Sequence, residues 1–138
     1  LMAKKQLYLL NGRPEDISEE LKKKIAELGA SYIVADLSDA SDIPELVKKA
    51  YEILGLISFF TTGEDETRAW AIPKDAAAPR AGRAIHSDFE KKFIRAEIIS
   101  YENLMQAGSY AKARELGWLQ TKGKDYIVKD GDVIEFKI

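Results

Sequence analysis

The chain contains no cysteine and a single histidine, His86, in 138 residues. The first absence removes disulfides, thiol nucleophiles and cysteine-bound zinc, and the second leaves no histidine-rich metal site. Positive charge is not in excess: 21 Lys and Arg face 23 Asp and Glu, a formal net charge of −2. Proteins that bind DNA through bulk charge are strongly basic, so DNA is not an expected partner. Long hydrophobic runs are missing as well. The longest, around Ile53 to Phe60, is interrupted by Gly55 and Ser58 and is too short to span a bilayer, and the N-terminus shows no signal-peptide pattern. Nowhere does a G-x-x-x-x-G-K-[ST] stretch occur, the loop whose amides and lysine cradle nucleotide phosphates. No catalytic residue and no metal ligand is assigned. The composition, 46% hydrophobic and 32% charged, is that of a soluble cytoplasmic globular protein.

What is present divides into two regions. Residues 1–55 read as strand, helix, strand, helix. Gln6 to Leu10 is a short apolar run ending in the turn pair Asn11-Gly12. Asp16 with Glu19 forms a capping pattern, and Ile17, Leu21, Ile25 and Leu28 fall on one helical face before Gly29. Tyr32 to Leu37 is a second strand, apolar enough to be covered on both faces. Asp42 with Glu45 repeats the cap, and Ile43, Leu46, Val47, Ala50 and Leu54 form the next buried stripe, ended by Gly55. Two parallel strands with two helices leave both sheet edges open. The segment is therefore expected to be the cut edge of a larger sheet, compensated by packing on the region that follows.

Residues 56–138 change period. Leu56 to Thr62 and Thr67 to Ile72 are β-rich runs around Gly63-Glu64-Asp65-Glu66, a hairpin pattern closed by Pro73. A helix is expected over Ala76 to His86, a strand over Phe93 to Tyr101, and one helix from Glu102 to Leu116. Closing strands are expected at Tyr126 to Val128 and Val133 to Ile138, around Asp130-Gly131. A hairpin, a helix and returning strands make an α+β fold, a β-grasp or ubiquitin-like roll.

Three blocks sharpen this. Phe59 to Trp70 reads FFTTGEDETRAW, His86 to Glu97 reads HSDFEKKFIRAE after Ile85, and Gly123 to Val133 reads GKDYIVKDGDV. Together they resemble the C-terminal TGS domain of the Obg-like ATPase (YchF) family. The chain departs from the family pattern at Arg83 and Lys92, where glycines are usual. Residues 1–55 resemble the trailing edge of the family's P-loop nucleotide-binding domain. There Asn11 is the one residue carried over from the N-x-x-E base-reading motif, since Pro14 stands where the Glu belongs. The resemblance implies ATP and magnesium as cofactors of full-length members, and no cofactor for this chain.

The resemblance implies docking to the ribosome or RNA by a non-catalytic module. Its candidate contacts lie in two basic stretches. One holds Arg80, Arg83, His86, Lys91, Lys92 and Arg95; the other holds Lys112, Arg114, Lys122 and Lys124. The bland alternative is a solvated mixed surface. His86 is expected to make a structural hydrogen bond, with stacking on an RNA base as the sharper alternative. Phe89, Phe93 and Trp70 are read as core anchors, and Trp118 as the exposed aromatic. The acidic turn Glu64-Asp65-Glu66 is read as solvated rather than magnesium-binding. Two other functions stay open: a nucleotide hydrolase completed by a P-loop in trans, and a protein adaptor using the ubiquitin-like face.

Overall fold

A computed structural model describes residues 5–63 and 66–138. The chain forms two compact units, Leu1–Gly55 and Leu56–Ile138. The expected turn and the magnesium question at Glu64–Glu66 fall largely outside the described residues.

The first unit holds β1 (Leu7–Asn11), α1 (Glu19–Glu27), β2 (Ser31–Ala35) and α2 (Ile43–Leu54). Strands β1 and β2 pair in parallel, from Leu7 opposite Ser31 to Asn11 opposite Ala35. Local chemistry moves some expected boundaries. Pro14 fixes a short 3-10 turn, Pro14–Asp16, and the Asp16 carboxylate accepts from the Arg13 amide at 3.1 Å. Ser18, not Asp16, then caps α1 by accepting from the Leu21 amide. β2 stops at Ala35, short of Leu37, because Asp36 takes both the amide and the hydroxyl of Ser38 in a tight turn. Asp42 precedes α2 but does not cap it with its side chain; its carboxylate accepts from the Asp36 amide. Ile25, Ile33 and Ala35 are buried, whereas Leu28 and Val47 remain 64% and 51% exposed.

The second unit is a five-stranded mixed sheet covered by helices on both faces. Its elements are β3 (Leu56–Thr62), β4 (Thr67–Pro73), α3 (Ala78–Arg83), α4 (Ser87–Lys91), β5 (Arg95–Ser100), α5 (Tyr101–Ala107), α6 (Tyr110–Glu115), β6 (Gln120–Lys122) and β7 (Asp132–Lys137). The strand order is β4-β3-β7-β5-β6, with β7 central and parallel to β3, as the β-grasp expectation requires. Alternation along β7 sends Ile134 and Phe136 to one face and Val133 to the other. On the first face Phe136 meets Phe59, Phe89 and Phe93 edge-on at 6.0, 6.0 and 6.3 Å, beneath α3 and α4. On the second, Val133 and Ile99 pack with Ala113 of α6.

Two expected helices are broken. The one read from Glu102 to Leu116 splits because Gly108 adopts φ +85° and Ser109, extended, starts α6 by accepting from the Lys112 amide. The one read from Ala76 to His86 shortens to α3 and restarts as α4. Gly82 sits at that close approach, where an added Cβ would meet the Phe89 Cβ at 3.0 Å and the Phe136 ring at 3.3 Å. The strand read over Tyr126 to Val128 is reduced to one bridge, Ala77 with Ile127, while β6 was not legible in its polar sequence.

Candidate functional site

The first basic stretch is carried by the α3–α4 layer except for Arg95, which stands opposite Lys137 and shares the face of Glu97, Glu135 and α6. Arg80 and Arg83 project from α3, Lys91 and Lys92 end α4, and Arg95 opens β5; all five are exposed. Neither departure from the family pattern strains the backbone. Arg83 is helical and Lys92 has φ −104°, so neither position demands glycine. Arg83 lies 3.6 Å from Glu90, and Lys92 lies 3.5 Å from Asp88. Arg80, Lys91 and Arg95 have no carboxylate within 4.0 Å among the described residues.

His86 occupies the joint between α3 and α4. Its Nδ1 accepts from the Asp88 amide at 3.1 Å and so caps α4. A side chain engaged this way positions a helix; its outward edge is solvent-exposed.

The second basic stretch behaves differently. α6 packs on the face of the sheet opposite α3 and α4, so Lys112 and Arg114 do not share a surface with Arg80 and Lys91. Lys112 pairs with Glu115 at 3.1 Å. Arg114 is held by Glu97 at 3.0 Å and Glu135 at 3.4 Å, and its guanidinium stacks 5.7 Å from the Tyr110 ring centre. Glu97 and Glu135 face each other directly across β5 and β7, a repulsive pairing that Arg114 neutralises. Tyr110 donates to Glu135 at 3.1 Å, and Lys137 also binds that carboxylate. The Lys137 hydrogen bond first of all, with Tyr110 and Arg114, holds the Glu135 carboxyl below its ordinary value, while burial and the Glu135 charge push Tyr110 up. This network fastens α6 to the sheet. Lys122 stacks over Tyr126 at 5.6 Å, on the α3–α4 side of the sheet, and Lys124 is exposed in the loop beyond it.

The most specific sequence block, around Asp130-Gly131-Asp132, proves to be a structural latch that the residue-by-residue reading missed. Asp130 accepts from the Ser58 amide at 2.8 Å, joining the closing turn to β3. The buried Asp132 accepts from the Tyr126 hydroxyl at 2.7 Å and the Lys129 amide at 2.9 Å. Two aspartates flanking a glycine were the available signal.

In the first unit, Asn11 stands at the carboxyl end of β1, where ligands of parallel sheets gather. Its Oδ1 accepts from the Leu37 amide at 3.0 Å, tying the end of β1 to the turn after β2. Among the described residues no group of three or more His, Cys, Asp or Glu is placed to hold a metal, and no helix is long and apolar enough to cross a membrane.

A mixed sheet of this strand order, with helices on both faces, defines an α+β domain. The family model YchF-GTPase_C, described as a protein of unknown function (DUF933), matches residues 56–138, and the chain belongs to this YchF (Obg-like ATPase) family. It is 48% identical over 125 residues to the ribosome-binding ATPase YchF of Bacillus subtilis (strain 168), covering 88% of this chain and 34% of that protein. It is 41% identical over 124 residues to the human Obg-like ATPase 1, covering 87% of this chain and 31% of that protein. The solved YchF GTPase of Schizosaccharomyces pombe superposes with a TM-score of 0.66 at 34% identity, over 88% of this chain and 30% of that one. The chain thus spans about a third of the length of the relatives it matches.

Proposed function

We propose that this chain is a non-catalytic docking portion of a YchF-type ATPase, engaging the ribosome through RNA phosphates at the α3–α4 layer. The observation that carries this reading is the pair of exposed cations Arg80 and Lys91, which no described carboxylate neutralises. Arg83 and Lys92 flank them, held only by long, exposed ion pairs. Such pairs contribute little and yield readily to a phosphate. The printed name of the bacterial relative, a ribosome-binding ATPase, supports the same partner. Arg114 drops out of the proposed contact set because two carboxylates of the same unit hold it, and Lys112 because α6 lies on the opposite face of the sheet. His86 contributes by fixing α4 rather than by stacking on a base.

Nucleotide hydrolysis belongs, in this reading, to the longer relatives. ATP and magnesium need the phosphate loop that this sequence lacks, so the chain alone acts in the cytoplasm as a binding module. Asn11 keeps an amide at the strand end where a base edge would approach, but its carbonyl oxygen already serves the fold.

The test is ribosome co-sedimentation of an Arg80→Glu/Lys91→Glu double variant over a salt series. Loss of two phosphate contacts should weaken binding by roughly tenfold or more and flatten the logarithmic salt slope by about 1–2. Unchanged co-sedimentation would remove these residues from the interface.

A further inference from the structure

The five-stranded sheet ends in two unlike edges. β6 is a strand of three residues, whereas β4 runs seven residues in unbroken register with β3. Which backbone groups face outward from β4 follows from the hairpin. The Gly63 amide donates to the Glu66 carbonyl at 2.8 Å, which makes Gly63–Glu66 a hydrogen-bonded pair. Alternation then commits Arg68, Trp70 and Ile72 to β3 and turns the N–H and C=O groups of Thr67, Ala69 and Ala71 to the free edge. Ala69 and Ala71 are exposed, and apart from Arg68, which lies over Trp70, no charged residue, bulge or proline interrupts the strand before Pro73. Those are the devices that ordinarily keep an edge from pairing.

We propose that this edge pairs antiparallel with β4 of a second copy of the chain, about a two-fold axis at Ala69. Residues opposite each other in an antiparallel ladder point to the same side, so an axis normal to the sheet must meet a residue and not a midpoint. Four central registers are then open, and an axis at Arg68 sets that residue against the partner's Arg68, a like-charge clash. An axis at Ala71 sets Arg68 against the partner's Lys74, a like-charge clash. An axis at Trp70 sets Thr67 against the partner's Pro73, which has no donor. An axis at Ala69 pairs Thr67 with the partner's Ala71 and Ala69 with the partner's Ala69, and every outward pair keeps both donors. The same register places Arg68, already 5.2 Å over its own Trp70, opposite the partner's Trp70. The cation is thereby shared between two indoles. A single strand-to-strand contact buries less than the roughly 1,200 Å² of a standard stable interface, so the dimer depends on concentration.

Sedimentation velocity of the whole 138-residue chain, from tens of micromolar to about 1 mM, should show a shift toward twice the monomer mass. Ala69→Pro deletes an outward donor and no bond to β3, so it should weaken dimerisation at least about tenfold while the far-UV circular dichroism of the dilute monomer stays that of the wild type. Should that variant unfold, engineered cysteines decide, because the chain has none of its own. Ala69→Cys places two Cα atoms about 5.5 Å apart across the axis and should oxidise to a covalent dimer. Ala71→Cys leaves them about 14 Å apart and should not. A chain that stays monomeric at the highest concentration, a folded Ala69→Pro variant that still dimerises, or equal cross-linking of both cysteines would overturn the proposal.

Discussion

The two units solve the same problem with unequal means. The second encloses its sheet between α3–α4 and α5–α6 and builds a core around Phe59, Ile72, Phe93, Ile134 and Phe136. The first has two strands, buries Ile25, Ile33 and Ala35, and leaves several apolar side chains of its helices in contact with solvent. The lesson is that a parallel strand pair needs neighbours on both edges, whereas a mixed roll completes itself by bringing the last strand into its centre. Stability is therefore expected to reside in residues 56–138.

The sharpest way to break that contrast is at the aromatic hub. Phe136→Ala should cost about 3–5 kcal/mol, because three aromatic rings lose their common partner. Val47→Ala, on the half-exposed side of α2, should cost within about 0.5 kcal/mol. Both tryptophans, Trp70 and Trp118, lie in the second unit, so urea melts followed by fluorescence report that unit, while far-UV circular dichroism reports both. Similar losses for the two variants would contradict the division.

Next in size is the response to pH. Glu135 titrates below its ordinary 4.5 in the fold, held first by Lys137, so the stability it contributes is present above that value and fades as pH falls through the folded value. Tyr110 and Tyr126 are raised above 10.0, mainly by burial, so theirs is present below pH 10 and is lost as alkali deprotonates them. In the first unit Asp36 and Asp39 are lowered by Ser38 and Ser41, which gives acid sensitivity, and the exposed Lys22 is raised by Glu19. Fluorescence melts should accordingly lose stability above pH 10 more steeply in the wild type than in Tyr110→Phe. Parallel curves would argue that the Tyr110–Glu135 contact does not anchor α6.

The smallest expected effect tests the joint of the proposed docking layer. His86→Ala removes the α4 cap and should cost about 1 kcal/mol, whereas His86→Asn, which also accepts from an N2 amide, should restore most of it. Failure of asparagine to rescue would point to a role for the ring beyond capping.

Much of this organisation was legible in the residues. Gly55 ends α2 in a left-handed conformation, the hairpin lies where the β-rich runs place it, and Phe93 is buried with Phe89 packed beside it. The misses have local causes. Gly108-Ser109 combines a left-handed stop with a fresh cap, yet it sits inside a pattern that reads as one helix. β6 carries Gln120, Thr121 and Lys122, and becomes a strand only because Ile98, Glu97 and Ala96 of β5 offer it a ladder.

Charge shows the same division most clearly. The sequence by itself determined the family, the β3–β4 hairpin and the helix-ending glycine at Gly55, because those depend on neighbours a few residues apart. Only the tertiary structure decided which cations remain available. Arg114 is taken by Glu97 and Glu135, 17 and 21 residues away along the chain, and α6 lies on the face opposite α3 and α4. A charge count carries no information about such partners, since the Coulomb and hydrogen-bond terms that neutralise a cation act over a few ångströms of space and not along the chain.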